Sequence, residues 1–323
     1  MRSLVTGGCG FIGSHLANFL KERGHWVRVA DIRSVKECYL PLKADEVQQL
    51  DLRDPKNCMK ATKGIDWVFN LAANMGGIGF IMRIGAEIMR DNGLININMV
   101  EASRQNKVQR IFFSSSACIY PAYLQEKPLV EPLKEEHAVP AMPDSFYGWE
   151  KLFSEKLYEG YRKDYGTQVR IARFHNIYGP YTTYDGGREK APAALCRKVA
   201  QTQDSGTIDI WGDGEQTRSF LYIDDCLDAI YKLMEGDYSE PLNIGSDELI
   251  SINQLADMIM GIAGKKLKKV HDPTQPQGVR GRNADLTLVD RVLGWRPKVS
   301  YKQGMEQLYQ WVKKMVEQGR GRK

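Results

Sequence analysis

The stretch Tyr147-Gly148-Trp149-Glu150-Lys151 sets a phenol and an ammonium four residues apart. On a helix that spacing puts both on one face. An ammonium beside a phenol favours the phenolate and lowers its pKa from about 10. Such a tyrosine could take the proton of an alcohol while a hydride leaves the same carbon. Taken alone, the pattern is more often an exposed helical pair. Upstream, Ser114-Ser115-Ser116-Ala117-Cys118 follows the apolar run Ile111-Phe112-Phe113, which reads as a buried strand. The serines read as its polar loop end. Cys118 is either a small packing residue or a group that moves a proton, a task that needs neighbouring charge. A proton-moving cysteine wants a partner of tunable acidity, and lysine suits. Gly186-Gly187-Arg188-Glu189-Lys190-Ala191-Pro192 offers Lys190 on a glycine-started loop, just before a helix opened by proline. Outside its motif, Lys190 would be a solvated loop charge.

These residues need a frame. Ser3 to Thr6 reads as a strand, Gly7 to Gly13 as a turn and Ser14 to Arg23 as a helix. Trp26 to Ala30 is the next strand, ending at Asp31. Gly7, Gly10 and Gly13, with Phe11 and Ile12 between them, form GxxGxxG directly after the first strand. Such glycines let the chain turn tightly and let a pyrophosphate approach the helix N-terminus. Asp31 stands 18 residues beyond Gly13, where a carboxylate accepts from both ribose hydroxyls and repels a 2′-phosphate. NAD is therefore favoured over NADP, with Arg33 the one contrary sign. Asp51 suits either an adenine contact or a helix N-cap.

Strand and helix alternate as far as about residue 175, and glycine-rich loops dominate thereafter. Helices are expected over 88–106, 145–164, 192–203, 225–235, 252–263 and 303–317. The fold class is α/β, a Rossmann-like doubly wound parallel sheet with a smaller C-terminal substrate-binding region. The expected division is a cofactor domain over 1–175, with parts of 218–246 packing back onto it, and a substrate region over 176–323.

The 323 residues are 42% hydrophobic and carry a formal net charge of +5. That mild excess fits an anionic small molecule better than nucleic acid, and no basic stripe is interleaved with aromatics. The basic tail Gly319-Arg320-Gly321-Arg322-Lys323 reads as a frayed end. Cysteines stand at 9, 38, 58, 118, 196 and 226, with no CxxC and no zinc-like spacing, so no metal is expected. A strand begins almost at residue 1, which is read as leaving no room for a signal peptide, and no apolar run is long enough to span a membrane. A reducing, cytoplasmic setting is the expectation. Cys9, Cys38, Cys58, Cys196 and Cys226 are assigned to packing, and His175 to a structural hydrogen bond.

With the glycine turn, the serine-rich strand end and YxxxK together, the chain resembles the extended short-chain dehydrogenase/reductase family over nearly its whole length. The resemblance implies a nucleotide-linked sugar, bound NAD, and a Ser116-Tyr147-Lys151 triad that oxidises the sugar at C4. Family members that dehydrate carry a Thr-Asp-Glu set where this chain has Ser116-Ala117-Cys118. Six separated stretches are similar to members that invert the carbons flanking C4 of a GDP-hexose. They are 74–80, 115–121, 174–180, 186–192, 211–218 and 278–283. This implies that Cys118 and Lys190 invert C5 and C3, taking GDP-mannose to GDP-L-galactose, or to GDP-L-gulose if C5 alone inverts. It also places Gly76, Ser116, Ala117, Cys118, Asn176, Glu189, Lys190, Ala191, Lys198, Gln216, Thr217, Arg218 and Arg280 around the GDP-sugar. Trp149, Asn74 and the stretch 82–90 depart from the family pattern near the substrate. The rival expectations are a 4-epimerase of another nucleotide sugar, which leaves Cys118 idle, and an NAD-binding regulator without turnover. A homodimer is expected, with the helices over 87–106 and 145–164 as its face.

Overall fold

The computed structural model describes residues 1–319, so most of the basic tail lies outside the described residues. Seven strands form one sheet: β1 (Arg2–Thr6), β2 (Trp26–Asp31), β3 (Glu46–Gln49), β4 (Trp67–Asn70), β5 (Arg110–Ser116), β6 (Val169–Phe174) and β7 (Leu242–Ile244). Their order is β7-β6-β5-β4-β1-β2-β3, and every pairing is parallel. The order reverses beside β1, and open α/β sheets bind ligands at the carboxyl ends of strands around such a switch point.

The central strands read as near-continuous apolar runs because both faces of the sheet are covered. Alternate residues go to opposite layers. Val5, Val29, Phe69 and Phe112 face helix α1 (Phe11–Glu22) and the C-terminal helices. Leu4, Ala30, Val68, Ile111 and Phe113 face α3 (Gly85–Gln105) and α4 (Phe146–Tyr165). Between β3 and β4 lies α2 (Pro55–Thr62), too short for its periodicity to stand out in sequence. Its N-cap is Asp54, which accepts from the Lys56 N–H at 2.8 Å. The capping alternative for Asp51 is thereby removed.

β5 runs on through the serines rather than ending at Phe113. Ser114, Ser115 and Ser116 stay in register with Ala172, Arg173 and Phe174 of β6. Beyond β6 the chain forms α5 (Ala191–Gln201), α6 (Ile223–Glu235), α7 (Ile252–Ala263) and α8 (Tyr301–Glu317). Three small sheets accompany them among the described residues. One pairs Ile177–Tyr178 with Leu221–Tyr222, one pairs Thr207–Trp211 with Lys268–Asp272, and one joins Ile250–Ser251, Thr217–Arg218 and Gly281–Arg282. One apolar core links the α1 face of the large sheet to α8, from Val5 to Met315. Among the described residues no helix is long and apolar enough to cross a membrane.

Candidate active site

A cavity of about 1280 Å³ runs from the carboxyl ends of β1, β2, β4 and β5 to α5 and the small sheets. Ordinary ligand pockets hold roughly 300–1,000 Å³, so there is room for two ligands side by side.

The cofactor limb begins at the glycine turn. Gly10 N–H donates to the Gly7 carbonyl at 2.9 Å, and Gly7 has φ +65°. A Cβ on Gly13 would lie 2.2 Å from the Gly7 oxygen, so only glycine lets α1 come this close. The N-cap of α1 is Gly10, without a side-chain cap, and its first turn holds no acid. Its leading N–H groups are thus left for an anion. Gly7, Gly10, Phe11, Ile12 and Gly13 all line the cavity. At the end of β2, Asp31 accepts from the Cys9 N–H at 2.8 Å and the Arg33 N–H at 2.9 Å. Arg33 is ion-paired to Asp31 at 3.6 Å. Asp51 is gripped by Arg53 at 2.6 Å, and that hydrogen bond holds its carboxyl below the usual range. The cradle and the carboxylate fit a dinucleotide.

Lys151 is buried against β5. Its Nζ donates to the Ser114 carbonyl at 2.9 Å and stands 5.7 Å from the Tyr147 ring centroid. Ser116 lies close enough to Tyr147 for its side chain to act on the phenol, in the lowering direction. Burial pushes the Tyr147 phenol well up, and the Cys118 and Glu150 side chains add to the push. Burial pushes Lys151 down. The expected lowering of the phenol is therefore not achieved by the chain itself, because desolvation dominates. Glu150 is the buried neighbour that sequence reasoning passed over. It accepts from Asn92 at 3.1 Å, Asn96 at 2.9 Å and Ser154 at 2.9 Å.

Cys118 sits on a single helical turn, Ala117–Ile119, with its N–H on the Ser116 hydroxyl at 3.1 Å. Its Sγ accepts from Arg282 Nη1 at 3.2 Å. Lys190 is the N-cap residue of α5. It is exposed by surface area, but it lines the cavity wall, and desolvation there pushes its pKa down. Cys118 lies within electrostatic reach and opposes that push. The loop ahead of Lys190 is held from the other side. Gly77 N–H donates to the Arg188 carbonyl at 3.0 Å, and the Arg188 guanidinium lies 3.9 Å from the Phe80 ring centroid.

Of the remaining expected substrate contacts, Gly76, Ala117, Asn176, Glu189, Ala191, Lys198, Gln216 and Arg218 line the same cavity. Asn176 takes φ +48° and donates to the Ser219 carbonyl at 2.8 Å. Burial, then the adjacent Arg282 guanidinium, push Arg218 down to about 9, so it stays charged at neutral pH. Two expected contacts point elsewhere. Thr217 donates its hydroxyl to the Pro128 carbonyl, on the opposite side of its strand from Gln216 and Arg218. Arg280 is spent on Asp213, with contacts of 2.9 and 3.0 Å. The arginine of that stretch that faces the cavity is Arg282. Sequence reasoning missed it, although its strand partner Arg218 is in the expected set. His175 is fully buried, bonded to Asn243 at 3.0 Å and pushed down to about 3 by burial.

Residues 3–245 match the model of the NAD dependent epimerase/dehydratase family. The chain belongs to this family. Among its members, the chain is 48% identical over 313 residues to the GDP-mannose 3,5-epimerase of Arabidopsis thaliana, covering 97% of this chain and 82% of the plant protein. It is 47% identical over 317 residues to GDP-mannose 3,5-epimerase 1 of Oryza sativa subsp. japonica, covering 98% and 83%. Its fold matches that of a Thermotoga maritima UDP-glucose 4-epimerase solved with UDP-glucose, with TM-score 0.88, 29% identity, and 98% and 100% of the two chains covered. It also matches a Bacillus cereus UDP-glucuronic acid 4-epimerase solved with UDP-glucuronic acid and NAD, with TM-score 0.85, 27% identity, and 98% and 100% covered. This family member is an NAD-dependent nucleotide-sugar epimerase.

Proposed function

We propose that this epimerase acts on GDP-mannose, inverting C5 and C3 to give GDP-L-galactose, and giving GDP-L-gulose when C5 alone inverts. One observation carries the reading: Cys118 and Lys190 face one cavity beside Tyr147. Inversion at C4 needs no acid or base beyond the tyrosine, whereas inversion next to C4 needs a second pair. The identity of 48% to a plant protein of that name supports the choice of sugar.

When bound, NAD supplies the hydride acceptor for C4 and a positive charge that opposes the upward push on Tyr147. Tyr147 takes the C4 hydroxyl proton and later returns it. Ser116 orients the phenol, and Lys151, fixed on the Ser114 carbonyl, supplies the nearby ammonium. The C4 ketone of the sugar acidifies the protons on C3 and C5. Cys118 and Lys190 then work from opposite faces, one removing a proton and the other delivering one. Desolvation at the cavity wall pushes Lys190 down from its ordinary value, the direction that suits a lysine that gives and takes a proton. Arg218 suits the diphosphate, and Lys198 joins it by exchanging its 2.7 Å pair with Asp209. In this reading residues 1–175 chiefly serve the cofactor and 176–323 the nucleotide sugar.

A second copy is the proposed cover for the apolar face of α3 and α4. Met89, Leu94, Ile97, Phe146, Trp149 and Phe153 are each at least 40% exposed there. The free cysteines fit a reducing, cytoplasmic setting. The test of function is incubation with GDP-mannose and identification of the product sugars by NMR. Galactose and gulose nucleotides are expected. A talose nucleotide, the C4 epimer, or no conversion at all would overturn the reading.

A further inference from the structure

Arg282 is a buried cation to which the reaction scheme above gives no task. It sits on the two-residue strand Gly281–Arg282, in parallel register with Thr217–Arg218. Its side chain is 6% exposed. Nε donates to Gln125 Oε1 at 2.6 Å. Gln125 is itself fully buried, and its amide nitrogen donates to the Tyr120 and Pro121 carbonyls at 3.1 Å each. Those two carbonyls fix which way the amide faces, so its oxygen must point at Arg282. The backbone is held as well, since the Arg282 carbonyl accepts from the Ser219 N–H at 3.0 Å. From this clamp the guanidinium extends Nη1 to Cys118 Sγ at 3.2 Å. Nη2 stands 3.9 Å from Asp144, beyond hydrogen-bond reach.

A guanidinium only donates and keeps its proton at any working pH. Arg282 is therefore neither the acid nor the base, and the reacting group it touches is the Cys118 sulfur. Other charged groups also face Cys118. Lys190 comes from the start of α5, Arg218 from the neighbouring short strand, and Lys151 and Tyr147 from α4. Asp144 stands behind Arg282. Of these, Arg282 is the one whose donor reaches the sulfur.

We propose that Arg282, clamped by Gln125, is the positioning residue that aims the Cys118 sulfur into the sugar site and stabilises it once its proton has left. The proposal rests on the reading of Cys118 as the acid/base of the epimerisation, and it makes the role of Arg282 separate from C4 oxidation. When the proton moves between the sulfur and the sugar carbon, Arg282 changes neither charge nor bonding. It keeps one donor on the sulfur throughout.

The test compares wild type, R282M, R282K and Q125M, each carrying its bound cofactor, in two experiments. In the first, GDP-mannose in heavy water is followed for deuterium at C5 and C3 and for transient reduced nicotinamide at 340 nm. R282M should lose exchange by on the order of 100-fold, the scale of one acid/base group, while the 340 nm amplitude stays within a few-fold. R282K should recover part of the loss. An equal fall in both signals would make Arg282 a binding or folding residue, and no fall would give it no role. The second experiment needs no substrate: the rate of iodoacetamide alkylation at Cys118, read by peptide mass spectrometry at fixed pH. R282M should be about tenfold slower than wild type, with R282K between them. Q125M, which keeps Arg282 and its charge, should also slow alkylation and serves if R282M fails to fold. Equal rates in wild type and the variants would overturn the proposal. If GDP-mannose does not turn over but the alkylation rates differ as stated, the substrate reading fails and the positioning role stands.

Discussion

Gly77→Ala tests how tightly the Lys190 loop must be held. The glycine has φ −67° and ψ 173°, which any residue adopts, so the substitution acts through its Cβ alone. That Cβ would lie 2.4 Å from the Glu189 carbonyl oxygen, where ordinary contact begins at 3.4 Å. The Glu189 peptide must retreat by about 1 Å, the difference between those two distances. Lys190 is the next residue and moves with it, hinged at Gly186 and Gly187, which have φ +89° and +81°. A misplacement of about 1 Å in a reacting group costs on the order of 100-fold in rate, or about 2.7 kcal/mol of barrier. Tyr147 and Lys151 are on α4, away from this contact, so the C4 step should be spared. The assay is deuterium exchange at C5 and C3 of GDP-mannose, set against transient absorbance at 340 nm. Exchange should fall about 100-fold with the absorbance nearly unchanged. Exchange within twofold of wild type would refute the claim that this contact positions Lys190.

Other expectations concern stability. Glu155 and Arg173 form a buried pair at 2.8 Å, 0% and 6% exposed, that ties α4 to β6. Glu155→Ala leaves the guanidinium unpaired and should cost about 3–5 kcal/mol in urea unfolding. Gly160 lies inside α4 with open space around its would-be Cβ, so Gly160→Ala should stabilise by about 0.5–1 kcal/mol in the same measurement. His175 is neutral and buried, its pKa taken from 6.5 to about 3. Between those values the unfolded chain binds a proton that the folded chain does not. Its contribution is therefore intact above pH 6.5 and is lost as pH falls, by at most about 1.4 kcal/mol per unit. Urea midpoints at pH 7 and pH 5 should show that slope, and His175→Gln should flatten it.

Much of the site is legible in sequence because it depends on chain-local geometry. The glycine turn, Asp31 and the Tyr147–Lys151 spacing each follow from one strand, turn or helix. Cys118 and Lys190 are legible only by resemblance, since 72 residues separate them and only the folded cavity brings them together. Thr217 could have been set aside from sequence, because in an extended Gln216-Thr217-Arg218 the middle side chain faces the other way. Arg280 and Arg282 share the same parity, so alternation cannot choose between them. The choice depends on the register with Arg218 and on Asp213 capturing Arg280. The state of Tyr147 is likewise out of reach, because it is set by burial, which depends on the packing of the whole domain. Ser114 to Ser116 look like a loop by composition and become strand only through β6.

The most direct measurement is proton NMR of GDP-mannose with the protein in heavy water, no cofactor added. Deuterium should enter C5, or C5 and C3, while C4 keeps its proton, and Cys118→Ala should abolish that exchange. Absence of exchange with NAD bound, or exchange that persists in Cys118→Ala, would contradict the account.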